Sequence, residues 1–307
     1  MVTDPLRRLI DRPWRDVSLP PDAVGIPTML SKAERRLLYS LGRDYASGDA
    51  AVVDAGCFLG GSTAALLAGV RDRPDGWDGP PVESYDLFCV DTYMVPKFFS
   101  GDRSLPLGDT FRDRFDSHVS RFDVPHVVHE GDITKLGWSG APIDVLFLDI
   151  LKSWEINDVV LRDFFPSLVP GRSVIVHQDY GWGDTPWIPI SVELMRDSLV
   201  LVDWMEWGSH VFFVDRELPA ELLDGGVGNL DLDTKLEVMD QAVARAEGWV
   251  QGMLEISRAI LVAGRDGPDA GLAELVSIQE RHPGHGFVLA CIDDVRPAIA
   301  PSVAAAR

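Results

Sequence analysis

Residues 52–70 read "VVDAGCFLGGSTAALLAGV", and the order of residue types in this stretch decides the fold. Val52 and Val53 read as the end of a buried strand, and Thr63 to Val70 as a helix with its small and apolar residues at helical spacing. Between them lies a backbone with few side chains. A strand that turns through glycine into a helix N-terminus presents unpaired N–H groups and leaves room for a ligand to touch the main chain. That geometry is the entry to a nucleotide-type site.

Upstream, "SKAERRLLYSLGRDYA" (31–46) has an N-cap serine and leucines at helical spacing, which predicts a helix feeding the first strand. Downstream, the Pro/Gly-rich "RPDGWDGPP" precedes "DLFCVD" (86–91), which reads as the second strand. Tyr93 to Pro125 is then a long segment, loop first and helical around "DTFRDRFDSHVSRF", of the kind that serves as a lid or binding loop. "HVVHEGD", "IDVLFLDI" and "RSVIVHQD" give the third to fifth strands, with "NDVVLRDFFPSLVPG" as the helix between the last two. Their near-continuous apolar runs suit a parallel sheet covered on both faces. "SLVLVDWMEW" and "HVFFVDRE", separated by Gly208 and Ser209, form a hairpin and hence an antiparallel pair. Beyond Pro219 the pattern is helical. The predicted organisation is an N-terminal arm (1–30), a Rossmann-like α/β domain with a seven-stranded, mostly parallel sheet whose last strand is antiparallel (31–218), and a helical C-terminal extension (219–307).

Composition excludes several classes of function. The 307 residues are 46% hydrophobic and 25% charged, ordinary for a soluble protein with a full core. With 28 Lys and Arg against 48 Asp and Glu, the net charge of -20 repels polyanions, so nucleic acid and anionic membrane are poor partners. Cys57, Cys89 and Cys291 show neither CxxC spacing nor pairing, which fits a reduced cytoplasmic setting and no structural zinc. No signal-peptide pattern and no run of about 18 apolar residues is present.

Taken together, "VVDAGCFLGGST", "LFCVDTY", "GDIT", "LFLDI" and the closing hairpin resemble the class I S-adenosylmethionine-dependent methyltransferases over residues 31–216. The doubled Gly60-Gly61 before Ser62, with "PSLVPGRSVIVHQDY", is similar more narrowly to the macrocin O-methyltransferase and cephalosporin hydroxylase group. The resemblance implies S-adenosylmethionine as cofactor. Gly56, Gly60, Gly61 and Ser62 would let it approach the backbone, and Asp91, followed by Thr92, would accept the ribose hydroxyls at the carboxyl end of the second strand. Asp132 and the N–H of Ile133 would meet the adenine; Asp54 and Asp149 would lie near the methionine ammonium. The bland alternatives are turn caps for Asp54 and Asp132, and core positions for Cys57 and Cys89.

In the related group a metal is held by an acid two residues after the one closing the fourth strand and by an acidic pair after the fifth. Leu151 and Gln178-Asp179 stand there, so the resemblance implies a lost metal site. Lys152 beside it and His177 before the pair are candidate acceptor contacts, His177 as base because it titrates near neutrality; with Asp149 and Asp179 they form the candidate catalytic set. Trp154, Tyr180, Trp182 and Trp187 are candidate walls for an acceptor, or else packing beneath the extension; Trp204 and Trp207 read as core. Leu236, Met239, Val243, Ala246 and Val250 form one helical stripe, either a docking face or a homodimer seam. The expectation is methyl transfer to oxygen of a small natural-product or sugar acceptor. The alternatives are a non-methylating cyclisation, elimination or hydrolysis by Asp149, Lys152, His177 and Asp179, and a non-catalytic scaffold.

Overall fold

The computed structural model describes residues 4–205 and 208–300; Trp207 lies outside them. β1 (Ala51–Ala55), β2 (Val82–Asp86), β3 (His126–Glu130), β4 (Ile143–Leu148), β5 (Val174–His177), β6 (Leu199–Trp204) and β7 (His210–Val214) form one sheet in the order β3-β2-β1-β4-β5-β7-β6. The first five are parallel, and β7 runs antiparallel to both β5 and β6. This is the Rossmann-like seven-stranded sheet expected from the sequence. Reversal of order between β1 and β4 opens a crevice at the carboxyl edge, where such sheets hold ligands.

One strand is displaced from its expected place. β2 is "VESYD", not "DLFCVD": Val82 pairs with Val52 on β1 and with His126 on β3. The polar residues of this strand are tolerated because they bond across the sheet, Ser84 to His126 at 3.0 Å and Glu83 to His129 at 2.8 Å. "LFCV" instead forms a short excursion against residues 108–111, with the Val90 amide donating to Asp109 and the Phe111 amide to Phe88.

The helix Lys32–Ser40 begins with a capping box, in which Ser31 Oγ accepts from the Glu34 amide at 3.2 Å and Glu34 accepts from the Ser31 amide at 2.6 Å. It packs with the helix Gly61–Arg71 on one face of the sheet. Residues 4–30 join this layer, burying Leu6, Leu9, Trp14, Leu19 and Ile26 in the same core as Val52 and Val145. The helices Trp154–Asp163 and Trp187–Leu194 cover the other face, together with Leu232–Arg245. Leu236 and Met239 of the predicted stripe are buried there, with Val243, Ala246 and Val250 packed at its margin, so the stripe is a docking face. The helices Gly248–Asp266, Pro268–Arg281 and Gly286–Ile299 enclose a further cluster around Met253, Ile256 and Ile292. Among the described residues, no helix is long and apolar enough to cross a membrane.

Candidate active site at the carboxyl edge of the sheet

Three loops leave β1, β4 and β5 side by side. The Asp149 amide donates to Ala55 at 2.8 Å and the Gln178 amide to Leu148 at 3.0 Å, so the ladder runs one residue past each strand. Gly56 (φ +103) lies so close to this edge that a Cβ would meet the Asp149 backbone at 2.6 Å. Only glycine fits that approach.

Asp54 is wholly buried at the end of β1. Its Oδ2 accepts from Ser62 Oγ at 2.8 Å and from Thr63, while Oδ1 has no partner. Burial pushes its carboxyl up to about 7, against the two hydroxyl donors. An orphaned buried carboxylate oxygen at the foot of a glycine turn is a fit for an ammonium group.

Lys152 carries the central charge. Its ammonium bonds Asp149 Oδ1 at 2.9 Å and also Asp179, bridging the loops after β4 and β5. Asp149 and Asp179 are 16% and 14% exposed, whereas the lysine side chain is 55% exposed. Burial opposes its charge, but the two carboxylates outweigh it and raise its pKa. Asp149 is raised by burial, opposed by Lys152 and reinforced by Asp179. The Gln178 amide, oriented with its nitrogen toward the acids, donates to Asp149 at 3.3 Å and to Asp179. Trp187 Nε1 donates to the Leu151 carbonyl at 2.7 Å and so holds the chain just before Lys152. Leu151 itself is buried in the core. Among the described residues, no group of three or more His, Cys, Asp or Glu is arranged to hold a metal ion.

Several expected positions move. Asp91 does not close β2: it is exposed beyond the excursion and accepts from the Met94 amide at 2.8 Å, with Thr92 exposed beside it. Asp86 occupies the strand end instead, with Oδ2 on the Phe58 amide and Oδ1 on the Phe88 amide, both at 2.8 Å. Phe58 and Phe88 both have left-handed backbones, at φ 46 and 52, so this carboxylate holds two strained turns. His177 leaves the catalytic set. It is buried beside Phe165 and Phe212 with both ring nitrogens unpartnered, and burial lowers its pKa to about 3. It stays neutral in the core.

Asp132 caps the helix Ile133–Leu136, accepting from the Thr134 amide and hydroxyl; that hydroxyl and Lys135 lower its carboxyl to about 2. Ile133 is a core residue. The Cβ faces of Gly60 and Gly61 are filled by protein: a Cβ would lie 2.9 Å from Val119 at Gly60 and 2.4 Å from Thr28 at Gly61. Of the aromatic candidates, Trp154 packs edge-on to Trp187 at 5.6 Å beneath Lys235, and Trp182 packs against Phe287 of the extension at 5.2 Å. Tyr180 packs against His210 at 4.3 Å and Phe212 at 5.5 Å.

Sequence reading missed Asp86 and Glu34. Glu34 is 1% exposed, bonds Ser209, and lies within the field of Asp179. Its signal was the S-x-x-E capping box after Leu30. That of Asp86 was an acid ending a five-residue segment that also contains β-forming Val82 and Tyr85.

No family model matches the chain, and no curated protein matches it. Two solved structures are similar to 68% of it. One is an apo structure of CalS11, a TDP-rhamnose 3'-O-methyltransferase of calicheamicin biosynthesis, with TM-score 0.43 and 15% identity over 93% of that chain. The other is a crystal structure of CalS11, calicheamicin methyltransferase, with TM-score 0.43 and 15% identity over 91% of that chain.

Proposed function

We propose that this chain is an S-adenosylmethionine-dependent methyltransferase acting on an oxygen of a small natural-product or sugar acceptor, with Lys152 as a fixed cation where related enzymes hold a metal. The reading rests on one observation: a lysine bridging Asp149 and Asp179 at the switch point, one residue pair away from the glycine turn of β1. The methionine end of the cofactor fits the orphaned Oδ1 of Asp54 and the close backbone at Gly56. When bound, the cofactor supplies an electrophilic methyl group. Asp91, with one oxygen on the Met94 amide and the other open to solvent, is the acid we assign to its ribose, while Asp86, with both oxygens on backbone amides, only orders the loop beside it.

Lys152 lowers the cost of developing negative charge on an acceptor oxygen, and the Asp149–Asp179 pair takes the proton. Burial raises the pKa of Asp149, which makes its carboxylate a better base than a solvated one. Activity therefore falls as pH drops through that raised value. Methyl transfer from labelled donor to a panel of hydroxylated sugars and phenols is the direct test. Lys152→Met is expected to lose about a hundredfold in kcat, the size typical of one positioned electrostatic group, with donor affinity unchanged. Its acidic limb moves to higher pH, because the charge opposing protonation of Asp149 is gone. Activity survives chelator. A chelator-sensitive reaction restored by magnesium, or a Lys152→Met enzyme as fast as the parent, overturns the role given to this lysine; consumption of acceptor without label transfer points to a non-methylating reaction.

A further inference from the structure

A cavity lies beside Tyr180 of the loop that follows β5. It has a volume of about 630 Å³ and opens between β6, β7, the helix Trp187–Leu194 and the paired helices that begin at Leu232 and Gly248. Asp179 bonds Lys152, while its neighbour Tyr180 lines this cavity.

The lining is built of rings. Tyr180 lies 4.3 Å from His210 and 5.5 Å from Phe212, and Trp204 packs edge-on to Trp249 at 6.0 Å. His210 is buried with Nδ1 on the Gly208 carbonyl, and burial lowers its pKa to about 4, so this wall is uncharged at neutral pH. Leu201 and Trp204, 53% and 49% exposed, leave large apolar surface to water at its edge. Such surface around a concavity of this size marks a small-molecule site.

One rim is polar. Arg245 and Arg196 share a single carboxylate, Glu193, whose side chain is 9% exposed, while the arginines remain 45% and 51% exposed. Arg196 also reaches Asp197 on its outer side at 3.1 Å, and the exposed Glu247 completes the charged lining. Arg245 also donates to the Gln241 carbonyl at 3.0 Å; each guanidinium has five N–H donors, so donors remain on both for a ligand.

We propose that this cavity binds a planar fused-ring aromatic molecule bearing a carboxylate, its rings against Trp204, Trp249 and Tyr180 and its acid group at Arg245 and Arg196. Flat ring faces favour a planar body over a puckered one, and the paired guanidiniums select the anionic end. The site is independent of the methyl-transfer reading.

Calorimetric titration of the full chain with 2-naphthoate tests it, with decahydro-2-naphthoate as the non-planar acid and 2-naphthol as the uncharged ring. Saturable binding of 2-naphthoate is expected, at least about tenfold tighter than the saturated acid. Leu201→Trp, at an exposed strand position, fills the cavity and abolishes binding; Trp204→Ala weakens it about tenfold. Arg245→Gln weakens 2-naphthoate but not 2-naphthol. Absence of saturation, equal affinity for the two acids, or a folded Leu201→Trp protein that binds like the parent overturns the proposal.

Discussion

At the scale of single residues, the site is a balance between buried acids and one lysine. Asp54 shows the cost of that arrangement most directly, since one oxygen is bonded and the other is not. Its pKa rises from an ordinary 3.8 to about 7, so the folded state holds a proton that the unfolded chain has released. The contribution to stability is full below the unfolded value and is lost as pH rises through about 7. Asp54→Asn removes that loss while keeping a side chain of the same shape. Chemical denaturation is expected to find the variant more stable than the parent at pH 8, by roughly 2–4 kcal/mol, with the difference shrinking below pH 5. On the proposed cofactor site, its affinity for S-adenosylmethionine is expected to fall at pH 8 as well. A variant less stable at pH 8 than the parent would mean that the native carboxylate is charged and paired.

Among elements, the glycine turn illustrates why a motif is legible while its use is not. The strand, the turn and the helix Gly61–Arg71 follow from local chemistry: β-branched residues, then glycines at φ +103 and +91, then an Ala/Leu run. What faces each glycine is set by elements distant in sequence. Gly60 opens onto Val119 and Phe115 of the helix Arg112–Val119, and a valine there meets Val119 at 2.9 Å from a left-handed backbone. Gly60→Val is therefore expected to lower stability by about 1–3 kcal/mol, read as a shift of the urea midpoint without a change in slope. An unchanged midpoint with lost donor binding would return this face to the ligand. The misplaced second strand has a similar cause. "LFCV" is the more apolar run, yet "VESYD" wins because its polar side chains find partners on β3, information that no local window contains. Lys152 drew notice in the sequence for the opposite reason: the acids that bridge to it, Asp149 and Asp179, stand one and two residues past apolar strands that the sequence marks clearly.

For the molecule as a whole, the question is what the last third of the chain does. Leu236 and Met239 belong to the same core as Phe212 and Leu146 of the sheet, and Leu254 and Leu261 join them from the next helix. Each such side chain contributes about 1.5–3 kcal/mol of burial, so four of them rival the whole net stability of a typical domain. The ion pair of Arg245 with Glu193 at this junction has its arginine half-exposed to water and contributes little beside that. A chain ended after Leu218 would present this apolar face to water. It is expected to be insoluble or to unfold without a cooperative transition, as judged by circular dichroism and urea titration. A dimer seam would behave differently, because removing it leaves a folded monomer with its own closed core. Met239→Asp separates the two cases in the full chain: docking predicts a lowered urea midpoint with no change in hydrodynamic size, and a seam predicts a halved mass with the midpoint kept. A soluble, cooperatively folding fragment 1–218 would show that the sheet closes its own core and that the helical extension is an accessory to it.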